Sequence, residues 1–458
     1  MMTKFKAFLA LLLALTCLLS VVACSGDNGG SSSDDATQVM GESKDDPSAE
    51  ASTDSSVVAD PSSKVEDKYT DTDANGNAQR DPNYEPLNYD TMKGIWISQF
   101  DIPTVFSARN EKAYQQSVKR VVKAISEAGF NTIILQLRPN GDSFYPSDVY
   151  PASEFVVGAY GNDFTFDPLK TFVKIAHEYN ISFHAWINPM RLMSTAKIKM
   201  IDEKYRIAKW YKENSPYISV VDNVCYLVPG YEETRQLVCD GVTELASRYN
   251  VDAIHIDDYF YPTMAGNFDS AHFNTVAENY LTLKEYRLEM VDGLVRKMYQ
   301  AVKAVDEDLI FGISPAGSIT NNLNSLYANV RKWCSTPGFC DYIAPQVYWG
   351  FEHPQNAQKF DLCCKEWEKL CTTDAVKLVI GVGIYRAKPP INAGEFQEYI
   401  DNKDVTKRQL EFLTTMDKND GFIFYSYINM FTTTGKQQSY FKDEAANLLP
   451  VLKEFGEE

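Results

Sequence analysis

Two adjacent carboxylic acids, Asp257 and Asp258, lie in the segment VDAIHIDDYFYP (251–262) and are the residues best suited to chemistry in this sequence. Neighbouring carboxylates repel each other, which can raise the pKa of one and leave the other ionised. A protonated acid beside a charged one suits general acid catalysis. Because the flanking residues are apolar and aromatic, we interpret the pair as a catalytic site rather than as a solvated turn.

The elements that must position this pair are eight short apolar runs, rich in β-branched or aromatic residues. The runs are GIWISQF (94–100), TIILQLRP (132–139), SFHAWINP (182–189), AIHIDDYFYP (253–262), LIFGISPAG (309–317), YIAPQVYW (342–349), KLVIGVGIY (377–385) and GFIFYSY (421–427). Helical patterns separate most of them, at 111–128, 167–179, 234–249, 283–305, 356–370, 394–416 and 442–455. Buried strands that alternate with amphipathic helices indicate parallel βαβ units.

Eight such units predict the α/β class and, within it, a (β/α)8 TIM barrel with long insertions after strands 2 and 3. The insertions are 140–166 and 190–233, and we expect the second to hold a helix at 201–213 and a hairpin at 217–228. A doubly wound sheet is the alternative, although no GxGxxG turn follows the first strand.

Strand register predicts a ring of polar side chains inside the barrel, because alternate residues of a barrel strand face the interior. If Ile254 and Ile256 face the helices, then His255 and Asp257 point inward. The same reasoning places further polar side chains inside, namely Ser98, Gln136, Arg138, His184, Trp186, Asn188, Ser314, Gln346, Tyr348, Tyr385 and Ser426. Buried polar groups need partners, so the ring is interpreted as an active-site floor, with a self-satisfied polar plug as the alternative.

Five segments of the chain resemble the glycosyl-hydrolase-like 10 family of exported bacterial (β/α)8 proteins. They are GFNTIILQLRPNGDSFYPSDVYP (129–151), FHAWINPMR (183–191), VDAIHIDDYFYP (251–262), FGISPAG (311–317) and YIAPQVYW (342–349). The resemblance implies a glycoside hydrolase, which hydrolyses O-glycosyl bonds, with peptidoglycan glycan strands as the substrate class. It implies catalytic positions at Asp257 and Asp258 and sugar-binding positions at Arg138, Asn188 and Gln346. The sequence GFEH (350–353) departs from the family pattern and leaves substrate preference at that loop open.

The adjacency of the two acids bears on mechanism. Most glycosidases place two carboxylates about 5–5.5 Å apart when retaining and about 6.5–9.5 Å apart when inverting. The adjacent pair instead resembles that of substrate-assisted N-acetylhexosaminidases, in which the sugar's 2-acetamido group attacks its own anomeric carbon. We expect Asp257 to orient the amide and Asp258 to be the general acid, or the reverse. Further substrate contacts are expected from Trp186, His255, Tyr259, Tyr348, Trp349 and Tyr385.

Two other functions stay open at this point. A conventional two-carboxylate glycosidase acting on another polysaccharide would need a second acid, for which the candidates are Glu352, Asp101, Asp142 and Glu154. A non-catalytic carbohydrate-binding lipoprotein would use Trp96, Trp186, Tyr348 and Trp349 as stacking platforms. The sequence shows no metal-site signature, and glycoside hydrolysis of this kind requires no cofactor.

The N-terminus predicts export and lipid anchoring. Lys4 and Lys6 precede the apolar run AFLALLLALTCLL (7–19), and the sequence SVVAC (20–24) resembles a bacterial lipobox. We therefore expect residues 1–23 to be a lipoprotein signal peptide and Cys24 to be lipidated, which would anchor the protein to the outer face of the cell membrane without a spanning helix.

Residues 24–90 are predicted to be a flexible acidic spacer and 91–458 the catalytic domain. Residues 25–90 contain sixteen Asp or Glu but four Lys or Arg, so this stretch carries −12 of the formal net charge of −18. Its Ser- and Asp-rich composition cannot bury enough apolar surface to offset the entropy of ordering. The chain has no Lys- and Arg-rich cluster of the kind that binds phosphates, so nucleic acid is not expected as a partner.

Overall fold

The structure is a computed structural model that describes residues 72, 76–106, 110–262, 266–388, 397–432 and 435–457. All of them belong to the compact unit Lys64–Glu458. The predicted signal peptide, Cys24 and most of the predicted spacer lie outside the described residues.

Eight parallel strands form a closed barrel, which confirms the predicted fold. The strands are β1 (Met92–Ile97), β2 (Thr132–Arg138), β3 (Ser182–Ile187), β4 (Ala253–Ile256), β5 (Ile310–Ile313), β6 in two segments (Tyr342–Ile343 and Gln346–Val347), β7 in two segments (Lys377–Leu378 and Ile380–Val382) and β8 (Gly421–Tyr425). Each strand pairs with the next, and β8 pairs with β1 to close the barrel. The carboxyl ends of all eight strands therefore meet at one mouth.

One main helix follows each strand. The helices are α1 (Glu111–Ala128), α2 (Pro168–Glu178), α3 (Glu232–Arg248), α4 (Leu283–Val305), α5 (Val330–Ser335), α6 (Phe360–Leu370), α7 (Val405–Leu413) and α8 (Lys442–Glu454). Side chains cap several of them at the N-terminus: Asn110 accepts from the backbone N–H of Ala113 before α1, and Thr282 accepts from that of Glu285 before α4.

Three helices differ from the sequence-based prediction. The pattern at 394–416 divides into Gln397–Asp401 and α7, and the pattern at 356–370 begins as the 3-10 turn Asn356–Gln358 before α6. The sequence did not predict α5, because its six residues make fewer than two turns and show no helical period.

The second insertion forms a small antiparallel sheet beyond the end of β3. Its strands are Arg191–Ser194, Ile218–Val221 and Val224–Leu227, with the third strand in the middle. The predicted hairpin is confirmed, and the predicted helix is shorter, at Arg206–Lys212. The insertion therefore builds a rigid wall directly after a barrel strand.

Apolar side chains fill the barrel interior beneath the mouth, while a larger core lies between the strands and the helices. The interior cluster comprises Met92, Trp96, Ile134, Trp186, Tyr342, Ala344, Val379 and Ile423. All seven cysteines after Cys24 are buried with free thiols. Across the described part of the chain, we find no helix with the length and apolar character that a membrane crossing requires.

Candidate active site

A cavity of about 280 Å³ opens at the carboxyl-terminal mouth of the barrel. Its lining residues come from strands or strand ends on most sides of the barrel and are largely aromatic. They are Trp96, Trp186, Asp257, Asp258, Tyr259, Ser314, Gln346, Tyr348, Tyr385 and Tyr425. The acid pair thus lies in the concave, aromatic-lined kind of site that binds small polar molecules.

Asp257 is held at the end of β4 by three N–H donors. Trp186 Nε1 and Asn188 Nδ2 donate to Oδ2 at 3.0 and 2.7 Å, and the backbone N–H of Tyr259 donates to Oδ1 at 3.0 Å. Two of these donors come from β3 and the residues just after it, so the pairing of β3 with β4 positions the carboxyl group. The side chain is fixed in one orientation.

Asp258 is held more loosely and faces the cavity. Gln346 Nε2 donates to its Oδ1 at 3.1 Å and also to the backbone carbonyl of Ser314 at 3.0 Å. Its carboxyl group lines the cavity, where a bound molecule can contact it.

Burial raises the pKa of both carboxyl groups. Repulsion from Asp258 raises the pKa of Asp257 further, whereas its three N–H donors oppose that rise. Two strongly interacting carboxyl groups titrate as a unit. The pair therefore keeps one proton at pH values above those at which carboxyl groups usually ionise, as general acid catalysis requires.

A relay of amides extends the support of Asp257 to the first two strands. Gln136 Nε2 donates to Asn188 Oδ1 at 2.7 Å, and the backbone N–H of Gln99 donates to Gln136 Oε1 at 2.7 Å. Three members of the predicted polar ring, Gln136, Trp186 and Asn188, are thus hydrogen-bonded around Asp257.

His255 lies beneath the cavity and does not line it, which differs from the predicted substrate contact. Trp96 Nε1 donates to its Nε2 at 3.3 Å, and the Tyr342 hydroxyl lies 2.7 Å from its Nδ1. An indole N–H can only donate, so the proton of a neutral His255 is on Nδ1. Burial lowers the pKa of His255 well below its usual value, and His184 at 3.0 Å from the same hydroxyl is shifted in the same direction. His255 is a neutral support of the floor.

Four aromatic side chains form one wall of the cavity. Tyr348 stacks on Tyr425 with ring centroids 5.7 Å apart, and Trp96 and Tyr385 pack edge-on or tilted against them. Burial raises the pKa of Tyr348 and of Tyr425, so both hydroxyls stay protonated and can donate hydrogen bonds. Such a wall offers a sugar both a stacking face and polar contacts.

The predicted inward position of Arg138 is wrong. The β2–β3 pairing shifts register between Gln136 and Arg138, so that Arg138 pairs with Ile187 rather than with an inward-facing residue. Its guanidinium lies 4.3 Å over the ring of Tyr150, behind the sheet, and is 1% exposed. A β-bulge, which reverses the facing of later residues, left this position outside the cavity.

Strand β8 has the opposite facing from the one predicted. Ser426 is buried, its hydroxyl donates to Asp101 at 3.2 Å, and it does not line the cavity. Tyr425, which the sequence reasoning missed, lines it instead, because its register partner on β1 is the inward-facing Trp96. Because the sequence GFIFY (421–425) is apolar at almost every position, it does not show which residues of β8 face the barrel interior.

Trp349 also lies away from the cavity lining. It packs against the outer core and meets His353 with ring centroids 6.2 Å apart. The other predicted substrate contacts do line the cavity, namely Trp186, Tyr259, Gln346, Tyr348 and Tyr385. Asn188 is not among the lining residues but donates a hydrogen bond to Asp257, which is.

None of the four candidates for a distant second acid lines the cavity. Asp101 bonds to Ser98, Ser426 and the backbone of Ile428, and Asp142 bonds to Tyr160. Glu154 pairs with Lys197, and Glu352 is an exposed residue in the loop after β6. The carboxyl groups of the lining are Asp257 and Asp258. In the described ranges, no group of three or more His, Cys, Asp or Glu side chains could hold a metal ion.

A closed (β/α)8 barrel with an acid pair in an aromatic cavity at its carboxyl-terminal mouth has the architecture of a barrel enzyme, because the active sites of such enzymes lie at this face. The glycosyl hydrolase-like 10 family matches residues 91–400, and the chain belongs to this family. The fold and the family together support a glycosidase-type function.

Two curated relatives carry related names. The chain is 31% identical to "Glycosyl hydrolase YngK" of Bacillus subtilis (strain 168) over 350 residues, which are 70% of this chain and 66% of that protein. It is 27% identical to "Glycosyl hydrolase DigH" of Escherichia coli O6:H1 over 372 residues, which are 74% of this chain and 84% of the relative.

Among solved structures, an endo-β-1,4-mannanase from Thermotoga petrophila superposes with a TM-score of 0.53. The sequence identity is 12%, and the superposition covers 81% of this chain and 79% of the mannanase. This likeness supports the barrel fold.

Proposed function

We propose that the protein is a glycoside hydrolase that cleaves a bacterial cell-wall glycan or a related N-acetylated glycan, with peptidoglycan strands as the first candidate. The observation that supports this most directly is the adjacent Asp257–Asp258 pair, which supplies the carboxyl groups of the cavity lining. Two side chains on consecutive residues do not flank a glycosidic bond in the usual manner, so the substrate's own acetamide is the natural nucleophile.

The different surroundings of the two acids favour one division of roles. Asp257, fixed by three donors, is suited to accept the N–H of the sugar's 2-acetamido group and orient its carbonyl oxygen. Asp258 has one side-chain donor and faces the cavity, and the proton that the pair shares moves to it when the N–H of the acetamido group stabilises the Asp257 carboxylate.

The proposed reaction has two steps. The acetamide oxygen attacks the anomeric carbon while the glycosidic C–O bond breaks, and the proton of Asp258 moves to the leaving oxygen. Water then attacks the anomeric carbon of the cyclic intermediate, its proton passes to the Asp258 carboxylate, and the acetamide is restored. The anomeric configuration is retained overall.

Assays on isolated glycans test this proposal. We expect the protein to release new reducing ends from peptidoglycan strands or from N-acetylglucosamine oligomers, and a thiazoline analogue of the cyclic intermediate to compete with substrate. Turnover that a saturating thiazoline leaves untouched would favour a conventional two-carboxylate mechanism. Glycan binding without turnover would favour the carbohydrate-binding alternative.

We further propose that the protein is exported and lipid-anchored through Cys24. The supporting observation is the sequence itself, in which a basic start and a short apolar run precede the lipobox-like SVVAC (20–24). Cys24→Ala should leave the protein unlipidated and largely released from the membrane fraction, because the lipid supplies the anchor. Complete retention of the variant in the membrane would refute this proposal.

A further inference from the structure

Arg191 packs against Tyr259, one of the residues that line the cavity. Its guanidinium carbon lies 5.1 Å from the ring centroid of Tyr259, and Tyr259 lines the cavity beside Asp258. Arg191 follows Asn188, which bonds to Asp257, by three residues. Three Cα–Cα steps span at most about 11 Å, so the backbone of Arg191 lies near that of Asn188.

The backbone of Arg191 is rigidly placed. It opens the first strand of the insertion sheet and pairs with Tyr226, and the backbone N–H of Leu227 donates to the carbonyl of Met190 at 2.9 Å. The next side chain, Leu192, packs tightly against Gly141 in the first insertion. Both insertions thus hold the cation in a defined position.

The charge of Arg191 is not used within the described residues. No carboxylate there lies within ion-pair distance of it, and its Nε is buried without a hydrogen-bond partner. By contrast, Arg287 of α4 pairs with Asp269 at 2.7 Å and donates to it through two nitrogens. The two terminal nitrogens of Arg191 are neither buried nor hydrogen-bonded within the described residues, so they are free to donate to a ligand.

We propose that Arg191 binds a carboxylate carried by the glycan, which makes it a specificity-determining residue for an acidic N-acetylated sugar. This inference rests on the proposed function. A guanidinium matches a carboxylate in a two-pronged geometry, and a lactyl ether carboxylate on an N-acetylated sugar, as in the muramic acid residues of peptidoglycan, has that chemistry.

The neighbouring charges explain why a cation is needed beside Tyr259. The acid pair carries negative charge into the cavity, and both of its members raise the pKa of Tyr259, whereas Arg191 lowers it. A substrate carboxylate entering beside the acid pair would be repelled. Arg191, which contacts the Tyr259 ring, would offset that repulsion.

Binding measurements in an Asp258→Asn background test the inference without turnover. The two probes are an oligosaccharide with free lactyl carboxylates and the same oligosaccharide with those carboxylates reduced to alcohols. We expect the parent to bind the acid form about 10- to 100-fold more tightly, the scale of a charge-assisted hydrogen bond. Adding Arg191→Gln should abolish this preference, and Arg191→Lys should keep part of it.

The matched control is Arg331→Gln, which removes the same charge from an exposed position on α5 and should keep the preference. Circular dichroism and the thermal midpoint establish that each variant is folded. A preference that survives Arg191→Gln, or a parent that binds both probes equally, overturns the inference alone. Failure to bind either probe overturns the proposed function and the inference with it.

Discussion

One buried aspartate lies just before the first residue of β4 and another lies just after its last residue, and the two have different surroundings. Asp252 lies at the amino-terminal end of the barrel and Asp257 at the carboxyl-terminal end, five residues away. Both are at most 2% exposed. Both aspartates are therefore buried beside the same strand, and they differ in their hydrogen-bond partners.

Asp252 is fully bonded. Its Oδ1 accepts from the Tyr84 hydroxyl and the Leu87 backbone N–H, both at 2.6 Å, and its Oδ2 accepts from the Phe183 backbone N–H at 2.6 Å and lies 2.9 Å from His177 Nε2. This carboxyl group ties the segment before β1 to the bottom of the barrel. Its role is structural.

Asp257 has fewer donors and a carboxyl neighbour, and it borders an open cavity. Burial and the adjacent Asp258 raise its pKa, and the cavity gives a substrate access to the pair. Burial of an aspartate therefore does not distinguish a candidate catalytic group from a structural one. Incomplete bonding beside a like charge does.

The sharpest test of this contrast is catalytic. Asp258→Asn should lower kcat by about 10²–10⁴-fold, the usual contribution of general acid catalysis. Its loss should shrink for substrates with an activated leaving group, whereas Asp257→Asn should impair both kinds of substrate because amide orientation is needed whatever leaves. Steady-state kinetics on matched glycosides measure this. Identical leaving-group dependence in the two variants would show that the roles are assigned wrongly.

Removing the segment that Asp252 anchors should instead cost stability. Residues 76–90 fall within the predicted spacer, yet Arg80 donates to the carbonyls of Tyr249 and Val251, pairs with Asp306 at 2.7 Å, and lies close in sequence to Tyr84. The unfolding free energy of a chain starting at residue 91 should be lower by about 3–5 kcal/mol, as expected when a buried charge loses partners.

The matched control for this truncation is a chain starting at residue 72, which keeps every one of these contacts. Urea unfolding of the two chains compares their free energies directly. Equal unfolding free energies would mean that the contacts at the bottom of the barrel contribute nothing.

The sequence predicted the barrel well because eight buried strands and their helices leave a strong periodic pattern. It predicted the acid pair and most of the lining for the same reason, since the facing of β3, β4 and β6 follows from alternation. It failed where alternation carries no information: the bulge before Arg138 reverses facing, and both faces of β8 are apolar. Asp252, whose partners are 69 to 168 residues away, gives no local signal.

A third experiment compares the pH dependence of stability. A carboxyl group whose pKa is raised in the folded state binds its proton more tightly there than when unfolded, so stability should fall as pH rises from about 4 through the raised pKa values of the pair. Asp258→Asn removes the repulsion and should raise the unfolding free energy at pH 8 by about 1–2 kcal/mol, with little difference at pH 4.

Urea unfolding of the wild type and Asp258→Asn across this pH range measures the difference. Glu307→Gln, at an exposed position, serves as the control for removing one carboxylate and should give no such pH-dependent gain. The gain in unfolding free energy of Asp258→Asn over the wild type should be larger at pH 8 than at pH 4. An equal gain at both pH values would indicate that the two acids do not repel each other.

The smallest expected effect comes from one hydrogen bond at the amino-terminal end of β4. Tyr84→Phe removes the hydroxyl that donates to Asp252 Oδ1 and should lower the unfolding free energy by about 1–1.5 kcal/mol, because the carboxyl group is then left with fewer donors in a buried place. Tyr89→Phe is the matched control, since its hydroxyl donates to the Asn180 carbonyl at an exposed position and should matter less.

Glycan turnover by Tyr84→Phe should match wild type at temperatures where both are folded, because Tyr84 lies at the opposite end of β4 from the acid pair. Lost turnover in the folded variant would mean that the two ends of β4 are coupled.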